Sequence, residues 1–355
     1  MNIQGDYLDF NENKTLNPLE SERWVCINIL FDDPKRIMNE VVDRLSEEIL
    51  TKKWASRFYI AGKFDKHRDY LQLFFKTSLI DLENLIKPLI EKKIKIYFNL
   101  YKPFNSTVNT DPTIPEFSKN TFNIFVEYED HVILPFSYLG GKRIADEFGD
   151  LMSKITNIIK ISRQENLEEW EAEKLVIKAI PLHLSLMCSM QLSLEEIGFF
   201  YESNYQRTKQ YFNDNKEIID FTNWKKQFDQ LMEDNFISQK GELFDFCKYI
   251  IKSIQEGEED IFEEEWLNEW LFLTRKLNSN FSLIEENGEF SSHEKTIIKD
   301  SFSDRTNKIW YLLEHVVLIL DKATTIQYEF IYNVFLFYTL KKITDLLLEE
   351  EIRLN

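Results

Sequence analysis

The chain has 355 residues, 43% of them hydrophobic, which is enough to bury one large core or two modest ones, so disorder does not dominate it. Its 43 basic and 61 acidic residues give a net charge of -18, unevenly divided: residues up to Tyr138 carry -3 and the remainder -15. Nothing in that balance supplies the basic face with which a nucleic-acid binder replaces counterions on phosphates, so no nucleic-acid partner is expected.

Residues 1–21 read as a polar N-terminal tail. Met1 to Leu19 carry acidic and polar side chains instead of a basic start followed by an apolar run, so no signal peptide is expected. The longest apolar stretches, such as Val316 to Leu320, fall far short of the roughly 20 residues of a membrane-spanning helix. Three cysteines, Cys26, Cys188 and Cys247, are widely separated and odd in number, which fits a reducing compartment, and a cytoplasmic location with no membrane partner follows. Nine glycines and eight prolines against 29 phenylalanines and 15 tyrosines predict few loops and an aromatic core.

In chain order, Trp24 to Phe31 is β-rich, and 34–50 places Ile37, Val41, Val42, Leu45 and Ile49 at helical spacing behind Pro34. Phe58 to Ala61 and Tyr70 to Phe75 predict two strands around the polar turn 63–69, and 79–91 carries Leu82, Leu85, Ile86, Leu89 and Ile90 on one helical face. With Ile94 to Leu100 as a closing strand, the order is βαββαβ, the ferredoxin-like unit. A polar stretch, 102–119, reads as a long loop, and Phe122 to Val126 as one more strand. After Gly140-Gly141 the pattern turns amphipathic-helical, with helices predicted over 142–161, 167–190, 194–212, 216–232, 259–277, 305–320 and 325–351. The acidic run Glu256 to Glu265 reads as a solvated helix start, since Trp266, Trp270 and Leu271 follow at core spacing. The expected class is therefore α+β: a ferredoxin-like peptide-binding part over 22–138 and a helical part over 139–355.

Common catalytic signatures are missing. Gly140 and Gly141 lack the third glycine and the lysine-serine of a phosphate loop. The histidines His67, His131, His183, His293 and His315 show no metal-ligand spacing, so neither metal nor cofactor is expected. His67 lies in a hairpin turn and reads as surface. Cys188, inside Leu186-Met187-Cys188-Ser189-Met190, reads as a buried small residue instead of a thiolate.

Certain segments carry a family resemblance. Arg57-Phe58-Tyr59-Ile60-Ala61-Gly62, Tyr70-Leu71-Gln72-Leu73-Phe74-Phe75 and Tyr138-Leu139-Gly140-Gly141, with the order sheet, glycine pair, helices, resemble the C-terminal domain family of lantibiotic dehydratases, the thiopeptide-type bacteriocin biosynthesis family, over about Glu22 to Glu350. In its eliminating members, arginines and histidines expel a glutamate ester from a modified serine or threonine, since a leaving carboxylate needs cations and an α-proton needs a base. Here those positions read Ala61, Tyr70, Gln72, Phe74 and Tyr138. The family's histidine with following asparagine and arginine falls on His315, but Val316 to Leu320 contain neither residue.

Loss of those cations with the layout retained resembles the pyridine synthase branch. Such enzymes join two dehydroalanines of a dehydrated peptide in a formal [4+2] aza-cycloaddition and release the leader peptide, which needs positioning and neutral acid-base groups. The resemblance implies as partners the modified precursor peptide with its leader, and other biosynthetic enzymes. Two rivals stay open: a glutamate-eliminating subunit of a split dehydratase, and a noncatalytic subunit that binds the leader. The aromatic-rich first half suits peptide capture by an exposed strand edge under any of them.

Candidate catalytic residues are Tyr138, Tyr311 and His315. Tyr311 and His315 lie four apart on a predicted helix, which suits a proton-shuttling pair and equally two amphipathic side chains satisfied locally. Tyr138 beside the glycine pair fits a donor to a substrate carbonyl, or packing at a sheet edge. Tyr59, Tyr70 and Gln72 on the matched strands are candidate peptide contacts. Lys142, Arg143 and Arg305 fit contacts to an acidic leader, or solvated charges at helix starts.

Overall fold

The computed structural model describes residues 21–30, 38–65, 68–100, 121–126, 142–165, 170–214, 221–288 and 302–354. The class is α+β, mostly helical with one antiparallel sheet. Strand β1 (Arg23–Leu30) is followed by helix α1 (Asp43–Thr51), entered through a π-helical turn, Met38–Val42. The hairpin of β2 (Arg57–Asp65) and β3 (Arg68–Thr77) leads through Leu79–Asp81 and a second π-helical turn, Leu82–Ile86, into α2 (Lys87–Leu100). Strand β4 (Thr121–Val126) completes a sheet of order β2-β3-β1-β4 with every neighbouring pair antiparallel.

The expected closing strand, Ile94 to Leu100, is instead the end of α2, and Thr121–Val126 takes its place in the sheet. The alternation of Lys93, Ile94, Lys95 and Ile96 imitates a strand. Leu82, Ile86, Ile90, Ile94 and Tyr97, however, continue one helical stripe and are all buried, while Ile96 is left 47% exposed.

Seven helices follow among the described residues: α3 (Lys142–Glu165), α4 (Ala172–Ser189), α5 (Leu194–Asp214), α6 (Phe221–Gln255), α7 (Glu265–Glu286), α8 (Asp304–Ala323) and α9 (Phe330–Leu354). The helix expected over 216–232 is the start of the much longer α6. Its apolar stripe breaks at the exposed residues 237–242 and resumes with Leu243, Cys247, Ile250 and Ile254. The acidic residues of the run are exposed around the buried Ile261, and α7 starts only at Glu265. No helix of the described residues is long and apolar enough to cross a membrane.

Period-two alternation gives the sheet two buried faces. Val25, Ile27, Ile29, Phe58, Ile60, Leu71, Leu73 and Phe75 pack on α1 and α2 in one core. Trp24, Cys26, Tyr59, Ala61 and Phe74 join a larger core with the helices from α3 onward. Edge strand β2 is covered by α3, whose Ser153 Oγ accepts the Phe58 N–H at 3.1 Å and Thr156 Oγ1 the Ile60 N–H at 3.4 Å. That removes two free edge donors that would otherwise template aggregation.

Sheet and helix come into close contact at Gly149 of α3. A Cβ there would lie 2.5 Å from Trp24 Cζ2, and the indole is held by its Nε1–H donating to Asp146 Oδ1 at 2.8 Å. Gly149→Ala is therefore expected to destabilise the fold by about 1–3 kcal/mol, because backbone or indole must shift. A lowered urea midpoint with an unchanged slope is the expected reading, and an unchanged midpoint would show that the indole moves freely.

Candidate functional site

The helix-facing side of the sheet changes character along its length. At one end Tyr59 stacks on Phe74, with centroids 4.6 Å apart and planes at 6°, and meets Trp24 edge-on at 5.2 Å. At the other end Ala61, Gln72, Asn28 and Asn123 are register partners across the four strands. Gln72 Nε2 donates to Asn28 Oδ1 at 2.9 Å. That bond uses one donor and one acceptor of the two amides. Among the described residues no group takes up Gln72 Oε1 or Asn28 Nδ2, so the amide pair keeps one acceptor and one donor, the two kinds of group that a peptide unit pairs with.

Near the C-terminal turn of α8 lies a buried polar hub. Arg163 of α3 donates through Nη1 to the Ala323 carbonyl at 2.7 Å and through Nη2 to Asp43 Oδ2 of α1. Arg163 and Asp43 are each 2% exposed, so the guanidinium serves a helix-end carbonyl and one oxygen of a carboxylate together. Burial pushes the Asp43 carboxyl above its ordinary value, and Arg163 opposes that shift. Two residues before Ala323, Asp321 Oδ1 meets His183 Nε2 of α4 at 3.1 Å, and its Oδ2 accepts from Asn333 Nδ2 of α9 at 3.3 Å. The rings of Tyr201 and Phe337 lie 6.1 and 5.9 Å from His183. Enclosed in this way, the hub joins five helices and fixes α8 against the sheet half.

Sequence reasoning missed Arg163, Asp43, His183 and Asp321. The one visible signal was Asp321-Lys322 directly after the apolar run Val316 to Leu320, where charges follow core residues without a polar loop.

The predicted residues fall as follows. Gln72 and Tyr59 face the helices from neighbouring strands, Tyr59 within the aromatic cluster. Tyr70 lies on β3 opposite Lys63, and its side chain is outside the described residues, as is Tyr138 entirely. Lys142 and Arg143 open α3, again with side chains outside the description. Tyr311 and His315 both lie on α8; His315 is partly buried, and the Tyr311 side chain is outside the description. Arg305 holds α8 to α7 through Asn278 Oδ1 at 2.6 Å and Glu285 Oε2 at 3.1 Å, with its guanidinium over Phe281. Cys188 is partly buried, and burial pushes its thiol up to about 12, far from a thiolate at neutral pH.

Among the described residues, two surface clefts stand near the elements above. One of about 690 Å³ separates the start of β2 from α3, and one of about 670 Å³ lies over the exposed Phe272 at the acidic start of α7. Neither is lined by Tyr59, Gln72, Arg305 or His315. Among the described residues no group of three or more histidine, cysteine, aspartate or glutamate side chains is placed to hold a metal ion.

No family model matches the chain, and no curated protein matches it in sequence. Solved structures do resemble it in fold. A pyridine synthase from thiomuracin biosynthesis, TbtD, superposes with a TM-score of 0.58 at 14% identity, covering 90% of this chain and 96% of that one. TsrL superposes with a TM-score of 0.53 at 14% identity, covering 91% of this chain and 94% of that one.

Proposed function

We propose that the chain is a tailoring enzyme of thiopeptide biosynthesis, and within that class a pyridine synthase that closes a macrocycle in a dehydrated precursor peptide. The observation that carries this reading is the likeness of fold to a pyridine synthase over nearly the whole of both chains. It treats the sheet half as a ferredoxin-like unit, supported by the strand order and by helices after β1 and β3. The reaction joins two dehydroalanines, one through the iminol form of its neighbouring amide; water then leaves, and the leader peptide departs as an amide. No electrons are exchanged with an outside group.

Protein groups are needed to align the alkenes and move protons. The open acceptor and donor of Gln72 and Asn28 hold a peptide group of the substrate, and Tyr138, Tyr311 and His315 serve as acid-base groups. Tyr70 shapes the peptide surface and Lys142 and Arg143 meet the leader, while Tyr59, fully buried, and Arg305, engaged by Asn278 and Glu285, support the site by packing. Capture along β2 is not part of this reading, since α3 covers that edge at Phe58 and Ile60.

Glutamate elimination fits less well. The helix-facing positions Ala61, Gln72 and Phe74 carry no charge, and buried Arg163 is committed to Asp43. The test is mass spectrometry on a leader-bearing peptide with two dehydroalanines. A macrocycle lighter by one water, with the leader amide released, is expected, and a glutamylated peptide should remain unchanged. Efficient loss of glutamate with no macrocycle would reverse the assignment, and leader binding with neither reaction would leave a noncatalytic binding subunit.

A further inference from the structure

The cleft between β2 and α3 has an unusual charge for so acidic a chain. Its walls carry Lys53, Arg57, Lys154 and Lys160 against one carboxylate, Glu22, which is already accepting from Ser56 Oγ at 3.0 Å. Many other lysines of the described structure sit against a carboxylate, as in Lys178–Glu264 at 3.1 Å and Lys248–Glu350 at 2.6 Å. Arg57 donates to the Ser56 carbonyl at 2.8 Å and meets a carboxylate only at 3.6 Å, that of Asp150, both side chains half-exposed. Lys53, Lys154 and Lys160 have no carboxylate within 4.0 Å among the described residues.

Two details go beyond a basic patch. Lys160 is 7% exposed, yet its side chain lines the cleft without a hydrogen-bond partner among the described residues. Its charge acts on the Asp43 carboxyl without a hydrogen bond to it, which leaves the ammonium's own donors open to an anion in the cleft. Lys53 has a φ of 58° at the residue that closes α1, where the Trp54 N–H reaches the Ile49 carbonyl at 3.1 Å and the Lys53 N–H the Leu50 carbonyl at 3.0 Å. Glycine is the usual occupant of that left-handed position, and here a lysine is kept in it at the cleft wall.

Ser153 and Thr156 complete the lining. Each accepts a β2 N–H, which leaves its own hydroxyl proton to donate, and no acceptor among the described residues takes it.

We propose that this cleft binds a compact, multiply charged oxyanion of the phosphate or carboxylate class, held by Lys160, Lys53, Lys154 and Arg57. A cleft of about 690 Å³ has the size of an ordinary small-molecule site. A compact ion meets the local cations at short range, whereas an extended polyanion meets the field of a chain of net charge -18. The assignment does not depend on the peptide chemistry proposed above.

The experiment is calorimetric titration of the whole chain with inorganic pyrophosphate and, separately, with citrate, at low and physiological salt. Saturable binding of at least one ion, weakened by salt, is expected. Lys160→Met keeps the apolar stem and should weaken binding about tenfold or more, as loss of a charge-assisted contact does. Lys53→Gly should raise the ligand-free melting temperature while also weakening binding, so a folding failure of the first variant leaves a second to read. Tighter binding of pyrophosphate assigns the phosphate class, and tighter binding of citrate the carboxylate class. The proposal is overturned if neither ion binds, or if binding persists undiminished in the variants that fold.

Discussion

Replacing Arg163 with methionine is expected to destabilise the protein by about 3–5 kcal/mol at neutral pH, the usual cost of leaving one member of a buried ion pair without the other. Asp43 would then lie 2% exposed without its guanidinium, and the Ala323 carbonyl would lose its donor. The deficit should depend on pH with a defined sign. Burial already raises the Asp43 carboxyl above its unfolded value, against the pull of Arg163, so the folded state holds that proton to higher pH than the unfolded state. The carboxyl's contribution is therefore most favourable below its unfolded value and is lost as pH rises through the folded value. Removing Arg163 takes away the opposing attraction and widens that window, so the variant should compare best with the parent at low pH and fall further behind as pH rises. Urea midpoints at several pH values are the measurement. Asp43→Leu combined with Arg163→Met should recover most of the loss, because two apolar residues leave no lone charge. A pH-independent deficit of under about 1 kcal/mol would place the pair in the class of weak, solvated bridges.

The second large effect is kinetic and rests on the proposed reaction. Tyr311→Phe and His315→Ala are each expected to slow macrocycle formation by about a hundred- to ten-thousand-fold, the ordinary worth of general acid-base catalysis, with peptide affinity near the parental value. Both residues lie on α8, whose C-terminal end is held by the Arg163, Asp321 and His183 contacts. A side chain on an anchored helix keeps its geometry through the reaction, which proton transfer requires. Single-turnover rates, peptide anisotropy and melting temperature separate the alternatives. A lowered melting temperature with an unchanged rate constant would make the pair packing residues, and parental rates in both variants would remove them from the mechanism.

Much of the chain's local structure was legible as a sequence. Strands β1, β2 and β3 and the amphipathic α3, α5, α8 and α9 follow from apolar spacing, because periodicity is a property of neighbouring residues. Reading failed where a local pattern admitted two answers. Lysine-isoleucine alternation at 93–96 suited a strand until Ile94 and Tyr97 were claimed by a helical stripe, and the polar break at 238–242 concealed the continuity of α6.

Of the candidate site, Gln72 and Tyr59 were visible because they sit on strands of clear register, while Asn28, the partner that gives Gln72 its open amide complement, was not singled out. Composition and spacing by themselves determined the α+β class, the acidic character and the absence of the usual catalytic motifs. Only the tertiary structure decided which charges are neutralised and which remain open. Arg163 finds Asp43 across 120 positions and His183 finds Asp321 across 138, whereas Lys160, three residues before Arg163 on the same helix, lines a cleft and makes no ion pair among the described residues. A side chain's type is written locally, but the group that satisfies it is chosen by packing between distant elements, and no pattern of neighbouring residues carries that choice.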